Sequence, residues 1–136
     1  QKSLTWQQGN VLSLTFSDNS FDGATLAYGL RNVSDIPQCL SELRRVLKDG
    51  AKAAILDFHR PSDRLMQAFQ NFYLDRVVVP LADRFAMTAE YAYIAPSLAR
   101  FPIGAEQVKL AKAAGFSKAN HYAIANGMMG ILVLQK

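Results

Sequence analysis

Arg31 and Asn32 stand side by side in the stretch AYGLRNV, a cation and an amide that follow Gly29 after one intervening leucine, where the chain is leaving an apolar run. A guanidinium offers N–H donors in a planar fork and has no acceptor, while a carboxamide both donates and accepts. Gly29 lets a ligand come close to the backbone. Together they suit the holding of a polar ligand at the end of a strand. The alternative is a loop Arg and Asn that cap the helix that follows.

Other groups that could do chemistry are few. Cys39 is the single cysteine, with neither Cys nor His near it in sequence, so neither an internal disulfide nor a zinc site is expected. Its spacing places it in a helix core. His59, between an apolar run and Arg60-Pro61, has the side chain of an acid or base, but a lone histidine at a strand end also reads as an exposed loop residue. His121, in NHY, is expected to be structural. Asp22 opens a strand and is expected to cap or pair locally.

The elements that must position these residues follow from periodicity. FDGATLAYGL (Phe21 to Leu30) is apolar at nearly every position, as a parallel strand covered on both faces is. In DIPQCLSELRRVLKDG, Ile36, Leu40, Leu43, Val46 and Leu47 fall at helical spacing. Ser34 or Asp35 suits the N-cap, Pro37 the first turn and Gly50 the stop. AKAAILDF (Ala51 to Phe58) reads as a second buried strand, so residues 21–58 form a strand-helix-strand crossover. Residues 61–103 are rich in Phe, Tyr, Met and Leu without alternation. They predict two helices interrupted at Pro80, which either cover the sheet or roof an apolar ligand. AEQVKLAKAAGF predicts a helix with Val108, Leu110, Ala111 and Ala114 inward and Gly115 after its end. Asn126-Gly127 between two strand-like runs predicts a terminal antiparallel hairpin.

Length and composition bound the rest. The 136 residues, half of them apolar and 19% charged, suit one globular α/β domain. The net charge of +4 is scattered, which argues against nucleic acid binding. The longest apolar run, around Val77 to Ala82, is far short of the roughly 20 residues of a membrane span. The first residues lack the pattern of a secretory signal or a transit peptide.

Strand, helix, strand, helical insertion, helix and hairpin make the second half of a doubly wound sheet, where ligands bind beyond the carboxyl ends of the strands. GNVLSLTFSDNSFDGATLAYGLRNV followed by ELRRVLKDGAKAAILDF resembles the post-I, II and III motifs of class I S-adenosylmethionine methyltransferases, and YGLRNV resembles the UbiE/MenG quinone C-methyltransferases within them. DRVVVPLA and EYAYIAPSLARFPIGAEQVKLAKAAGFSKANHYAIANGMMGILV are similar to the plant and cyanobacterial branch acting on 2-phytyl-1,4-naphthoquinone. The resemblance runs over essentially the whole chain.

It implies the C-terminal part of a class I (Rossmann-like) α/β methyltransferase sheet, ending in an antiparallel hairpin and carrying a helical lid insertion. Residues 1–60 would end the cofactor-binding half, 61–103 form the lid, and 104–136 the last helix and hairpin. The resemblance implies S-adenosylmethionine as cofactor, a prenylated naphthoquinol as substrate, and C-methylation in phylloquinone, menaquinone or ubiquinone synthesis. It places a proton relay at Arg31. Since an arginine is no base, its physical role is to stabilise a developing phenolate and orient a water, with Asn32 hydrogen-bonding cofactor or substrate. Asn10 and Val11 match the pair that contacts the adenine, and Tyr28 and Gly29 would lie under the methionine portion. Ala27 stands where many relatives carry serine, which removes a hydroxyl contact. Phe69, Phe72, Tyr73, Tyr91 and Tyr93 are candidates for the prenylnaphthoquinone pocket, and no metal is implied. The location implied is the plastid in a plant or alga, and otherwise the cytoplasm with peripheral membrane contact.

The Gly-rich GxGxG loop and the ribose-binding carboxylate of such enzymes are absent from these residues. The expectation is therefore either a part of a longer enzyme or a natural variant that has lost cofactor binding, binding the cofactor weakly or not at all when alone, whose first strand exposes an edge through which copies associate. A non-catalytic α/β module that self-associates and binds a prenylquinone or a partner subunit is the competing reading.

Overall fold

The computed structural model describes residues 4–59, 61, 63–78, 80–81 and 94–136. β1 (Phe21–Ala27), α1 (Ile36–Val46) and β2 (Leu47–Phe58) form the expected crossover, with β1 and β2 parallel. β1 stops at Ala27 rather than Leu30. Tyr28 takes a left-handed backbone, φ 55°, and Leu30–Asn32 close one 3-10 turn.

The start of α1 answers the capping alternative. The Asp35 carboxylate accepts the Gln38 N–H at 3.0 Å, and Pro37 occupies the first turn, where an N–H would have no helical partner. Arg31 and Asn32 are free of that task. α1 ends at Val46 without a glycine. The carbonyls of Arg45 and Val46 accept instead from the N–H groups of Asn19 and Ser20. Gly50, expected as the helix stop, lies within β2 at φ 76°, where the pairing with β1 shifts register.

Beyond β2 come α2 (Arg64–Tyr73), which runs into a π-helical turn at Leu74–Val78, then α3 (Ile94–Arg100) and α4 (Gly104–Ala113). The Asp63 carboxylate opens α2 by accepting the Leu65 and Met66 N–H groups. Residues 82–93 lie outside the described stretches. As the spacing predicts, α4 turns Ala111 into the core with Val108, Leu110 and Ala114 packed against it, and Gly115 follows at φ 94°. β3 (Lys118–Ile124) and β4 (Met129–Gln135) form the expected antiparallel hairpin, its loop carrying positive φ at Ala125, Asn126 and Gly127.

The sheet order is β1-β2-β4-β3, with β4 antiparallel to β2, so β1 is an edge strand. α1 and α4 cover one face, where Leu40, Leu43, Ile55, Phe116, Leu132 and Leu134 form the main core with Cys39. Truncating one of these leucines to alanine costs about 2–5 kcal/mol. On the other face Ala54, Leu56, Ile131 and Val133 are only half-buried.

Candidate functional site

Parallel pairing brings the carboxyl ends of β1 and β2 together, Ala27 standing opposite Leu56. Tyr28 continues the ladder by donating its N–H to the Leu56 carbonyl at 2.8 Å, and its ring leans on Phe58 at 5.5 Å between centroids. A left-handed backbone is rare for a bulky aromatic and costs about 1–3 kcal/mol, so the surrounding structure must hold it there. A Cβ at Gly29 would meet Leu26 Cδ1 at 2.9 Å, so a larger residue there would have to push that side chain aside.

The 3-10 turn delivers Arg31 onto Asp57, the penultimate residue of β2. Arg31 Nη1 donates to Asp57 Oδ1 at 2.7 Å, and the Arg31 backbone N–H donates to Oδ2 at 2.9 Å. The Phe58 N–H also donates to Oδ1. Only 6% of the arginine side chain and 4% of the aspartate side chain are exposed. Arg31 Nε donates to Ser97 Oγ of α3 at 2.8 Å, and the guanidinium carbon stands 5.1 Å from the centre of the Phe58 ring. Burying a charge is costly unless it is paired and hydrogen-bonded, and both conditions are met here. The exposed Asn32 reaches back toward the Tyr28 carbonyl at 3.4 Å. A cavity of about 540 Å³ opens beside these groups, lined by Arg31, Asn32, Asp35, Ser97, Arg100 and Phe101 among others.

Sequence reasoning missed Asp57, Phe58 and Ser97. Asp57 had a signal, a carboxylate inside the otherwise apolar AAILDF. Nothing in the sequence near Ser97 distinguishes it.

The other expected residues scatter around this centre. Asn10 makes a tight turn in which its carboxamide oxygen accepts the Leu12 N–H at 3.0 Å and its carbonyl accepts the Ser13 N–H. Arg45 braces the loop that follows, donating to the carbonyls of Leu14 and Phe16. Its hydrogen bond to Glu42, followed by the Leu14 N–H, holds that carboxyl below its ordinary range. Val11 packs against the main core. Phe69, Phe72 and Tyr73 are exposed on α2, and Phe69 joins Leu65, Met66, Asn126 and Met128 around an open groove of about 500 Å³. Tyr91 and Tyr93 lie outside the described residues. Asp22 makes an exposed pair with Lys48 of the neighbouring β2, at 2.6 Å, rather than one with a sequence neighbour.

His59 is buried rather than an exposed loop residue. Its ring lies 4.6 Å from that of His121, its N–H donates to the Met128 carbonyl, and its carbonyl accepts from Gln70 Nε2. His121 fits only because it has glycines on two sides: a Cβ at Gly104 or at Gly130 would come within 2.3 Å of its ring nitrogens. Burial pushes its pKa below the ordinary value.

The whole chain, residues 1–136, matches the ubiE/COQ5 methyltransferase family, and the protein belongs to that family. It is 62% identical over all 136 residues to the 2-phytyl-1,4-naphthoquinone methyltransferase of Trichormus variabilis, of which it spans 59%. It is 40% identical over 135 residues to the chloroplastic 2-phytyl-1,4-beta-naphthoquinone methyltransferase of Arabidopsis thaliana, of which it spans 52%. The chain thus covers little more than half the length of these relatives. Among solved structures, a SAM-dependent methyltransferase of Thermotoga maritima superposes with a TM-score of 0.63 at 18% identity, over 94% of this chain and 62% of that one. One from Methanosarcina mazei gives 0.56 at 24%, over 94% and 65%. Both share the Rossmann-like fold expected from the order of elements.

Proposed function

We propose that the chain forms part of an S-adenosylmethionine-dependent C-methyltransferase acting on a prenylated naphthoquinol in phylloquinone synthesis. The observation that carries this reading is the Arg31 guanidinium, fixed at the carboxyl end of the sheet by Asp57 and Ser97, in a chain similar throughout to enzymes named for that reaction.

The residues present fit the cofactor. Tyr28 holds an exposed aromatic ring at the strand end, and an aromatic face attracts a cation such as a sulfonium. Ala27 and Gly29 beside it, and Asn10 and Val11 in the preceding loop, are the further residues that would line its site. S-adenosylmethionine, when bound, supplies an electrophilic methyl group. A quinol ring carbon becomes nucleophilic as the neighbouring hydroxyl loses its proton, and negative charge then grows on that oxygen. Arg31 stabilises this charge and holds a water to receive the proton, while Asn32 orients the ring through a hydrogen bond. Phe69, Phe72 and Tyr73, with Tyr91 and Tyr93, exclude water and take the apolar tail.

A phytyl chain is membrane-soluble, and the exposed apolar side chains of α2 support peripheral contact with a membrane, that of the plastid if the host is a plant or alga. The edge position of β1 supports self-association, and would also serve the competing reading, a non-catalytic module binding a prenylquinone or a partner.

The test uses a full-length chain, made by placing these 136 residues in the matching stretch of the Trichormus variabilis relative. Transfer of labelled methyl from S-adenosylmethionine to 2-phytyl-1,4-naphthoquinol is expected. Quinol binding without transfer would favour the non-catalytic module.

A further inference from the structure

We propose that Ser97 is a positioning residue for methyl transfer, the contact through which, among the described residues, the helical insertion aims the Arg31 guanidinium. The inference rests on the methyltransferase reading above and adds a residue to it.

Ser97 is 2% exposed, and its hydroxyl donates to the Ile94 carbonyl one turn back at 2.8 Å. A hydroxyl has one hydrogen, so this bond turns a lone pair of Oγ outward as an acceptor. Arg31 Nε donates to it at 2.8 Å. On the other side, Asp57 cannot follow a swinging guanidinium, because its Oδ2 is tied to the Arg31 backbone N–H and its Oδ1 also accepts from Phe58.

The guanidinium is planar, so contacts at Nε and Nη1 together fix its plane and the direction of Nη2. Asp57 holds one of those nitrogens and the Phe58 ring lies beside the guanidinium carbon, but neither contact holds Nε. Ser97 does, and it belongs to α3, within the stretch proposed to cover the substrate. The aim of the charged donor is therefore set by an element outside the sheet, and α3 must be seated for Arg31 to be in register with a ring oxygen. A preorganised donor loses much of its effect when it must reorient during the reaction.

The experiment compares Ser97→Ala, Ser97→Thr and wild type in the full-length chain described above. One readout is the rate of hydrogen exchange at the Arg31 Nε–H, followed by NMR in nitrogen-15-labelled protein without cofactor. The other is the split between kcat and the KM for the quinol. Ser97→Ala is expected to speed exchange at Nε and to lower kcat about tenfold to a hundredfold at unchanged KM, the effect of one lost hydrogen bond to a charged group. Ser97→Thr, which keeps the acceptor, is expected to restore both. Should Ser97→Ala fail to fold, Ser97→Cys, with only a weak acceptor, is expected to show the same split. Unchanged kcat in an active protein, or unchanged Nε exchange, overturns the proposal alone. A wild-type protein that transfers no methyl group overturns the methyltransferase reading and this proposal with it.

Discussion

Arg31 Nη1, in the turn after β1, and Asp57 Oδ1, near the end of the parallel β2, lie 2.7 Å apart, both side chains almost wholly withdrawn from water. A pair so buried makes each partner a stability residue for the other. Removing one leaves an uncompensated charge in a poor solvent for it.

Asp57→Ala should therefore destabilise the protein by about 3–5 kcal/mol, read by denaturant unfolding. The neutral double variant Arg31→Gln with Asp57→Asn should recover most of that loss, because neither buried charge is then left alone. A single variant as stable as wild type would show that the pair is open to water in solution.

The His121 ring makes a second prediction, in which pH sets the sign. Its folded pKa lies below the ordinary value near 6.5, so the unfolded chain binds more protons between the two values. Stability is then whole above about pH 6.5 and is lost as pH falls from there toward the folded pKa. Thermal melts from pH 7.5 to 5 should show this loss, and His121→Phe should flatten it. Gly130→Ala, which drives a methyl group into the same ring, should cost about 1–3 kcal/mol at every pH.

Cys39 faces the core of α1, and burial pushes its thiol up to about 11. The thiolate is the reactive form, so a thiol reagent at pH 8 should label Cys39 only as fast as the protein opens. Labelling at the rate of a free thiol in the native state would contradict the packing of α1.

The order of elements, the parallel crossover and the closing hairpin were legible because each depends on local pattern: alternating apolar runs, a proline in a first turn, an Asn-Gly between strands. Boundaries were less so. Gly50 looked like a helix stop because glycine after helical spacing usually is one, yet the 19–20 backbone satisfies the end of α1 and frees Gly50 for the strand. At the site, Arg31 was visible from its place after Gly29, but its partners were not. Asp57 is 26 residues away and Ser97 is 66, and only the sheet and the insertion bring them together. With Asp57 buried against it, Arg31→Ala is expected to destabilise the fold by orphaning that carboxylate. His59 misled for the same reason, since its companion His121 arrives from the terminal hairpin.

The most direct test of the account is single-turnover transfer of labelled methyl from S-adenosylmethionine to 2-phytyl-1,4-naphthoquinol. It compares the full-length chain carrying these residues with its Arg31→Gln, Asp57→Asn double variant, whose fold is expected to stand. Transfer by the wild type is expected, with a rate about 10²–10³ lower in the variant at unchanged cofactor affinity, as the loss of one preorganised donor gives. Equal rates in the two proteins would contradict it.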